Sequence, residues 1–95
     1  MNETPPSRHK ATVTIVNTRG MHARAAAKFV KLAHGFSSSI EVERNDICVS
    51  GRSIMGLMML AAGQGTKIII RAAGSDAAEA VAALVGLVGR QFEES

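Results

Sequence analysis

Residues 11–33, ATVTIVNTRGMHARAAAKFVKLA, change their hydrophobic period from about two residues to about 3.6 partway along. The first part alternates with threonine, as a strand with one wet face does, and its apolar side chains are Ala11, Val13 and Ile15. The second part follows i, i+3, i+4, i+7 spacing, at Ala26, Phe29, Val30 and Ala33. The sequence therefore predicts a strand, a break at Thr18-Arg19-Gly20 and an amphipathic helix that ends near Gly35.

Downstream of this helix, the strand period returns twice before a second helix. Ile40–Glu43 and Ile47–Ser50 alternate on either side of Arg44-Asn45, which predicts a hairpin with a two-residue turn. Ser53 is placed to cap the helix that follows. The side chains expected to face inward from this helix are Ile54, Leu57, Met58 and Ala61.

The last third of the chain predicts one more strand and one more helix. Lys67–Arg71 has the composition of a strand buried on at least one side, and Gly74 ends it. A helix is expected from Ser75 or Asp76 to about Gln91. Its apolar face is Ala77, Ala80, Val81, Leu84 and Val88.

These elements predict an α+β fold in the order β-α-β-β-α-β-α. Each of the three helices has an apolar stripe that must be buried, and one face of a sheet can cover all three stripes. This favours a two-layer, open-faced β-sandwich, that is, a four-stranded antiparallel sheet with all three helices on one face. Polar residues at the outward strand positions allow the other face to meet water. We expect residues 1–9, polar and aperiodic, to be a disordered tail and residues 10–95 to be one domain.

The composition excludes several classes of protein. Cys48 is the only cysteine, so we expect no disulfide, no metal site and a reducing, cytoplasmic setting. No apolar run is long enough for a bilayer span. The net charge of +3 suggests an anionic partner, but an aromatic content of 3% does not favour a nucleic-acid binder. The chain also lacks a nucleophile elbow, a Walker loop and a GxGxxG motif.

His22 lies where a glycine-containing loop meets the start of the first helix. The partial positive charge there favours a neutral, nucleophilic imidazole, and the free N–H groups can receive an anion. Arg24 would complete a phosphoryl site, since a cation in a first helical turn needs compensation. Spacing alone is also compatible with His22 as a plain cap and Arg24 as a solvated charge.

Three further features suggest docking or regulation. Arg24, Lys28 and Lys31 form a basic stripe, which is either a solvated helix face or a surface for an acidic partner. Met55 and Met59 lie one turn apart and belong either to the core or to an adaptable docking patch. Ser53, beside Arg52, is a helix cap that could also carry a regulatory phosphate.

Two motifs together resemble the phosphocarrier protein HPr family of the phosphoenolpyruvate-dependent phosphotransferase system. They are GMHARAAAKFV at residues 20–30 and RSIMGLM at residues 52–58, and the resemblance extends from about residue 10 to residue 94. It implies that His22 accepts a phosphoryl group from enzyme I and passes it to enzyme IIA, with Arg24 stabilising the phosphate. It also implies that Ser53 is the serine that an HPr kinase/phosphorylase modifies in many members.

The resemblance further implies a docking surface, for which we expect Met21, Lys28, Arg52, Ile54, Met55, Leu57 and Met59. Ala25 stands where the commonest family motif has proline, a variant that looks like members serving regulatory, nitrogen-type systems. Both the sugar-transport and the regulatory branch therefore stay open.

The main hypothesis is a monomeric phosphocarrier that needs no cofactor and is not itself an enzyme. One alternative is a docking regulator switched by phosphate on Ser53, with His22 idle. A small nucleic-acid-binding domain is favoured only by the basic pI.

Overall fold

The computed structural model describes residues 7–94 and contains four strands and three α-helices. Residues 1–6 of the predicted tail lie outside the described residues. The first strand begins at Arg8, so residues 8 and 9 of the predicted tail belong to this strand. The bounds are β1 Arg8–Thr14, α1 Ala23–Ala33, β2 Ser39–Arg44, β3 Ile47–Ser50, α2 Ile54–Met59, β4 Lys67–Ala73 and α3 Ala77–Gly89. A short C-terminal turn, Gln91–Glu93, follows α3.

The four strands form one antiparallel sheet in the order β1-β4-β2-β3, which confirms the predicted fold class. The last strand of the chain thus lies between the first two, so the sheet joins segments that are distant in sequence. Arg71 of β4 stands opposite Lys10 on one side and Glu41 on the other. Arg71 also forms an ion pair with Glu43, so the outward face of the sheet is polar, as predicted.

The core lies between the sheet and the helices. The sheet contributes alternate side chains, Ile40, Val42, Ile68, Ile70 and Ala72, all of them buried. The predicted stripes of α1 and α3 are buried in full, with Phe29 and Leu84 at 0% exposure. Burial of this apolar face is what stabilises such short helices, since their intrinsic propensity is marginal. No helix among residues 7–94 is long and apolar enough to cross a bilayer.

The hairpin turn and α2 differ from the sequence-based expectation. The turn is Asn45-Asp46, one residue later than predicted; both residues have positive φ, 51° and 65°, as a tight two-residue hairpin turn requires. Helix α2 has only six residues and buries Leu57, followed by Leu60 at its C-cap. Three residues expected to face inward, Ile54, Met58 and Ala61, are exposed instead, because so short a helix presents only one side chain per turn to the core.

Candidate phosphoryl site at the start of helix α1

The loop before α1 is tied to the rest of the domain at Gly20 and Met21. Gly20 has a φ of 64° and donates its N–H to Asn17 O at 3.1 Å, which closes a turn. The Met21 N–H donates to Ala62 O at 2.9 Å, and the Met21 side chain is buried. These contacts place His22 directly before the first turn of α1.

His22 is the N-cap of α1 but does not cap it with its side chain. Its carbonyl oxygen accepts from the Ala26 N–H at 2.8 Å, while its ring makes no bond to the helix backbone. The N–H groups of residues 23–25 precede the first intrahelical bond, and N–H groups at these helix positions can receive an anion. The structure therefore does not support His22 as a plain cap, and its half-buried ring is available for chemistry.

A groove of about 470 Å³ opens beside the imidazole. Three cationic side chains and two carboxylates line it together with polar neighbours; the lining residues are Thr18, Arg19, His22, Arg24, Lys28, Gln91, Glu93 and Glu94. Arg24 is exposed and, among residues 7–94, takes part in no ion pair. A guanidinium of this kind can bind a phosphoryl group in a bidentate manner. The groove thus has the charge and the donors for a phosphoryl group on His22.

Glu94 is the residue of this site that the sequence did not reveal. Its Oε1 is in hydrogen-bond contact with Nε2 of His22. The Asn17 amide lies 3.4 Å and 3.5 Å from the two carboxylate oxygens and donates to Gly20 O at 2.8 Å. The pKa of Glu94 is lowered, chiefly by the hydrogen bond with His22 and further by Asn17 and Arg19, although partial desolvation opposes the shift. Glu94 is therefore an ionised neighbour of the imidazole.

One residue of the predicted basic stripe, Lys28, is bonded to the C-terminal turn. Lys28 donates through Nζ to the carbonyl oxygen of Phe92 at 2.8 Å, so it both lines the groove and holds the turn. Lys31 is exposed. The stripe is thus only partly a free surface.

Ser53 and Arg52 have local structural roles. Ser53 caps α2, because its Oγ accepts from the Gly56 N–H at 2.9 Å. The Arg52 guanidinium donates from Nη2 to Ala33 O at 3.1 Å and Phe36 O at 2.7 Å, so it satisfies carbonyl groups at the end of α1. Its charge is therefore directed at α1 rather than outward.

The five apolar residues among the predicted docking residues fall into two groups. Ile54, Met55 and Met59 are 40%, 73% and 69% exposed and form an apolar patch on α2. Met21 and Leu57 lie in the core instead, at 6% and 0% exposure. Because both side chains are buried, neither contributes to a docking surface.

The sequence and the fold are similar to those of known proteins. The family model described as PTS HPr component phosphorylation site matches residues 9–90. Phosphocarrier protein HPr of Neisseria meningitidis serogroup A is 48% identical over 85 residues, which cover 90% of this chain and 96% of that protein. Phosphocarrier protein NPr of Shewanella violacea is 40% identical over 83 residues, which cover 87% of this chain and 91% of that protein.

The crystal structure of HPr-C-His from Thermoanaerobacter tengcongensis superimposes with a TM-score of 0.87 and 44% sequence identity, covering 92% of this chain and 98% of that one. Sequence and architecture thus agree over nearly all of the described domain. The chain belongs to the HPr family of phosphocarrier proteins of the phosphotransferase system.

Proposed function

We propose that this chain carries a phosphoryl group on the imidazole of His22, taking it from enzyme I and delivering it to enzyme IIA. The observation that carries the proposal is the half-buried, non-capping ring beside a groove with three cationic side chains. The acting unit is a single copy of the chain, and the proposed compartment is the cytoplasm.

The transfer is an in-line displacement at phosphorus. A ring nitrogen of His22 donates its lone pair to phosphorus, the bond to the donor breaks, and that electron pair leaves with the donor. Arg24 and the free N–H groups at the start of α1 offset the negative charge of the phosphoryl oxygens. Delivery to the acceptor reverses these steps, because the nitrogen–phosphorus bond breaks and its electron pair returns to the ring.

The proposed carrier function applies to both the sugar-transport branch and the regulatory branch of the family. HPr and NPr relatives match this chain over similar lengths, and Ala25 is the local feature that resembles regulatory members. Ala25 is 1% exposed and keeps a backbone N–H that proline would lack. We therefore expect the variant motif to retain an anion donor while losing the fixed φ that proline provides.

The experiment is intact-protein mass spectrometry after incubation with phosphoenolpyruvate and an active enzyme I. We expect one added phosphate that mild acid removes, and none on His22→Ala. The matched control is His34→Ala, since His34 lies at the other end of the same helix and should not affect uptake. Arg24→Ala should slow uptake by about tenfold, the loss expected for one charged hydrogen bond. Uptake by His22→Ala at the wild-type rate would contradict the proposal.

A docking regulator switched at Ser53 is the second candidate. It is favoured by the exposed apolar patch of Ile54, Met55 and Met59, which directly follows Ser53 along α2. A phosphate there would place negative charge beside an apolar surface and weaken its contacts with partners. The same experiment separates the two functions, because a regulator with an idle His22 takes up no acid-labile phosphate from enzyme I.

A further inference from the structure

The C-terminal turn has an unusual backbone. Gln91, Phe92 and Glu93 have φ values of 57°, 54° and 61°, in the left-handed region that residues with a Cβ seldom occupy. Such a conformation persists only where its surroundings enforce it. Here the Phe92 side chain is fully buried, and its carbonyl oxygen accepts from Lys28 Nζ at 2.8 Å. The core thus holds a strained segment in place.

The strained turn brings the carboxylate of Glu94 onto the imidazole of His22. The contact joins Oε1 of Glu94 to Nε2 of the ring, and the Asn17 amide supports the same carboxylate at 3.4 Å. A carboxylate has no proton to donate, so this contact requires a proton on Nε2. In a neutral imidazole the other nitrogen, Nδ1, then carries the free lone pair.

We propose that Glu94 is a positioning residue for phosphoryl transfer, because it accepts a hydrogen bond from Nε2 of His22 and thereby keeps Nδ1 unprotonated as the nucleophile. The inference rests on the proposed carrier function. A hydrogen bond to the second ring nitrogen also restricts rotation of the imidazole, as outer carboxylates do for histidines that bind metals. The strain in the C-terminal turn is then the cost of holding this contact.

Glu94 also acts on the charge that develops during transfer. When the Nδ1 lone pair forms the bond to phosphorus, the bond between phosphorus and the donor breaks and its electron pair leaves with the donor. The ring keeps its Nε2 proton and becomes cationic, and the carboxylate on Nε2 stabilises that cation. The phosphoryl group and the carboxylate occupy different nitrogens, so they do not compete for one position. The cations Arg24 and Lys28 line the same groove and offset the remaining negative charge.

The first measurement is the tautomer of His22, read from the ¹⁵N chemical shifts of both ring nitrogens at a pH where the ring is neutral. Three variants are compared with wild type: Glu94→Ala, Glu94→Gln, whose amide oxygen can still accept from Nε2, and the control Glu79→Ala. Glu79 is an exposed carboxylate in the first turn of α3 and does not line the groove. We expect Glu94→Ala to move both shifts towards the average of the two tautomers, whereas the other two variants keep the wild-type pattern.

The second measurement is the initial rate of phosphate uptake from enzyme I. We expect a fall of about tenfold in Glu94→Ala, the size of one charged hydrogen bond, and a smaller fall in Glu94→Gln, which keeps the acceptor but loses the charge. The control Glu79→Ala should stay within about twofold of wild type. Wild-type ring shifts in Glu94→Ala would overturn the proposal whatever the rate. Glu94→Gln as slow as Glu94→Ala, with the wild-type tautomer, would overturn it as well, because acceptance from Nε2 would then not be what matters.

Failure of the inference is distinguishable from failure of the carrier function. A wild-type chain that takes up no phosphate from an active enzyme I refutes the carrier function itself. A wild-type chain that takes up phosphate on His22 no faster than Glu94→Ala refutes only the role of Glu94.

Discussion

Gly20→Ala should damage both the stability of the domain and the site, because Gly20 has no room for a side chain. A Cβ at this position would lie 2.5 Å from Ala62 O and 2.8 Å from Gly63 Cα. Both are backbone atoms, so no side-chain rotation can relieve the overlap. Gly20 also has a φ of 64°, which disfavours alanine independently of the overlap.

The magnitude follows from three contributions. A left-handed backbone costs alanine about 1–2 kcal/mol. To relieve the overlap, the loop before α1 must move away from Ala62, which weakens the 2.9 Å hydrogen bond from Met21 N–H to Ala62 O. That bond contributes about 1 kcal/mol, and the displacement of buried Met21 adds to the loss. We expect the free energy of unfolding to fall by about 2–4 kcal/mol, a large part of the roughly 5–15 kcal/mol typical of a domain.

Two nearby glycines allow these contributions to be separated. Gly65 has a φ of 88° but no atom within 4 Å of a built Cβ, so Gly65→Ala should cost only the conformational part, about 1–2 kcal/mol. Gly63 has neither feature, and Gly63→Ala should stay within about 1 kcal/mol of wild type.

The assay is urea unfolding followed by circular dichroism, since the chain has no Trp and no Tyr to report by fluorescence. Equal m-values across the series are needed to compare free energies. Phosphate uptake from enzyme I should fall most in Gly20→Ala, because this loop leads directly into His22. A cost for Gly20→Ala no greater than that for Gly65→Ala would refute the reasoning, since the contact with Ala62 would then not restrain the loop.

Two further predictions concern a carboxylate and a helix cap. Asp76 accepts from the backbone N–H groups of Ser37 and Ser38 and from the Ser38 hydroxyl, and these bonds, that from the hydroxyl first, lower its pKa from 3.8. The stabilisation that these hydrogen bonds provide is therefore complete above pH 3.8 and is lost as the pH falls through the lower pKa of the folded state. In urea unfolding, the difference in free energy of unfolding between wild type and Asp76→Asn should therefore shrink in acid. A difference that stays constant with pH would contradict this prediction. Ser53→Ala should lower the free energy of unfolding by about 0.5–2 kcal/mol, because the hydrogen bond from the Gly56 N–H to the Ser53 hydroxyl is lost. Ser53→Thr should keep most of the wild-type stability in thermal unfolding, because threonine also has a capping hydroxyl. Equal losses in the two variants would contradict the role of the cap.

The parts of the fold that were predicted correctly depend on residues close together in sequence. The stripes of α1 and α3 follow from apolar side chains three and four residues apart, which lie on one helix face wherever the helix docks. Ser53 as a cap and His22 at a helix start depend on the same short range. The hairpin turn was misplaced by one residue because alternation does not distinguish Arg44-Asn45 from Asn45-Asp46.

Burial on α2 could not be read from the local pattern. Ile54 and Met58 have the spacing of a buried stripe, yet both are exposed. Which side of a six-residue helix is covered depends on the neighbouring elements, and here the covered side is that of Leu57 and Leu60. The burial of Met21 has a similar origin, since a hydrogen bond to Ala62 draws its loop onto the domain.

By itself, the sequence determined the types and order of the elements, the position of His22 at a helix start and the two motifs that indicate a phosphocarrier family. Only the tertiary structure decided the strand order β1-β4-β2-β3 and the contact between Glu94 and His22, which are 72 residues apart. Periodicity and capping report interactions within about four residues, whereas this contact depends on the buried Phe92 and on the packing of the C-terminal turn against α1. A carboxylate near the end of the chain acquires its role at the site from packing, because no local pattern specifies which distant ring it meets.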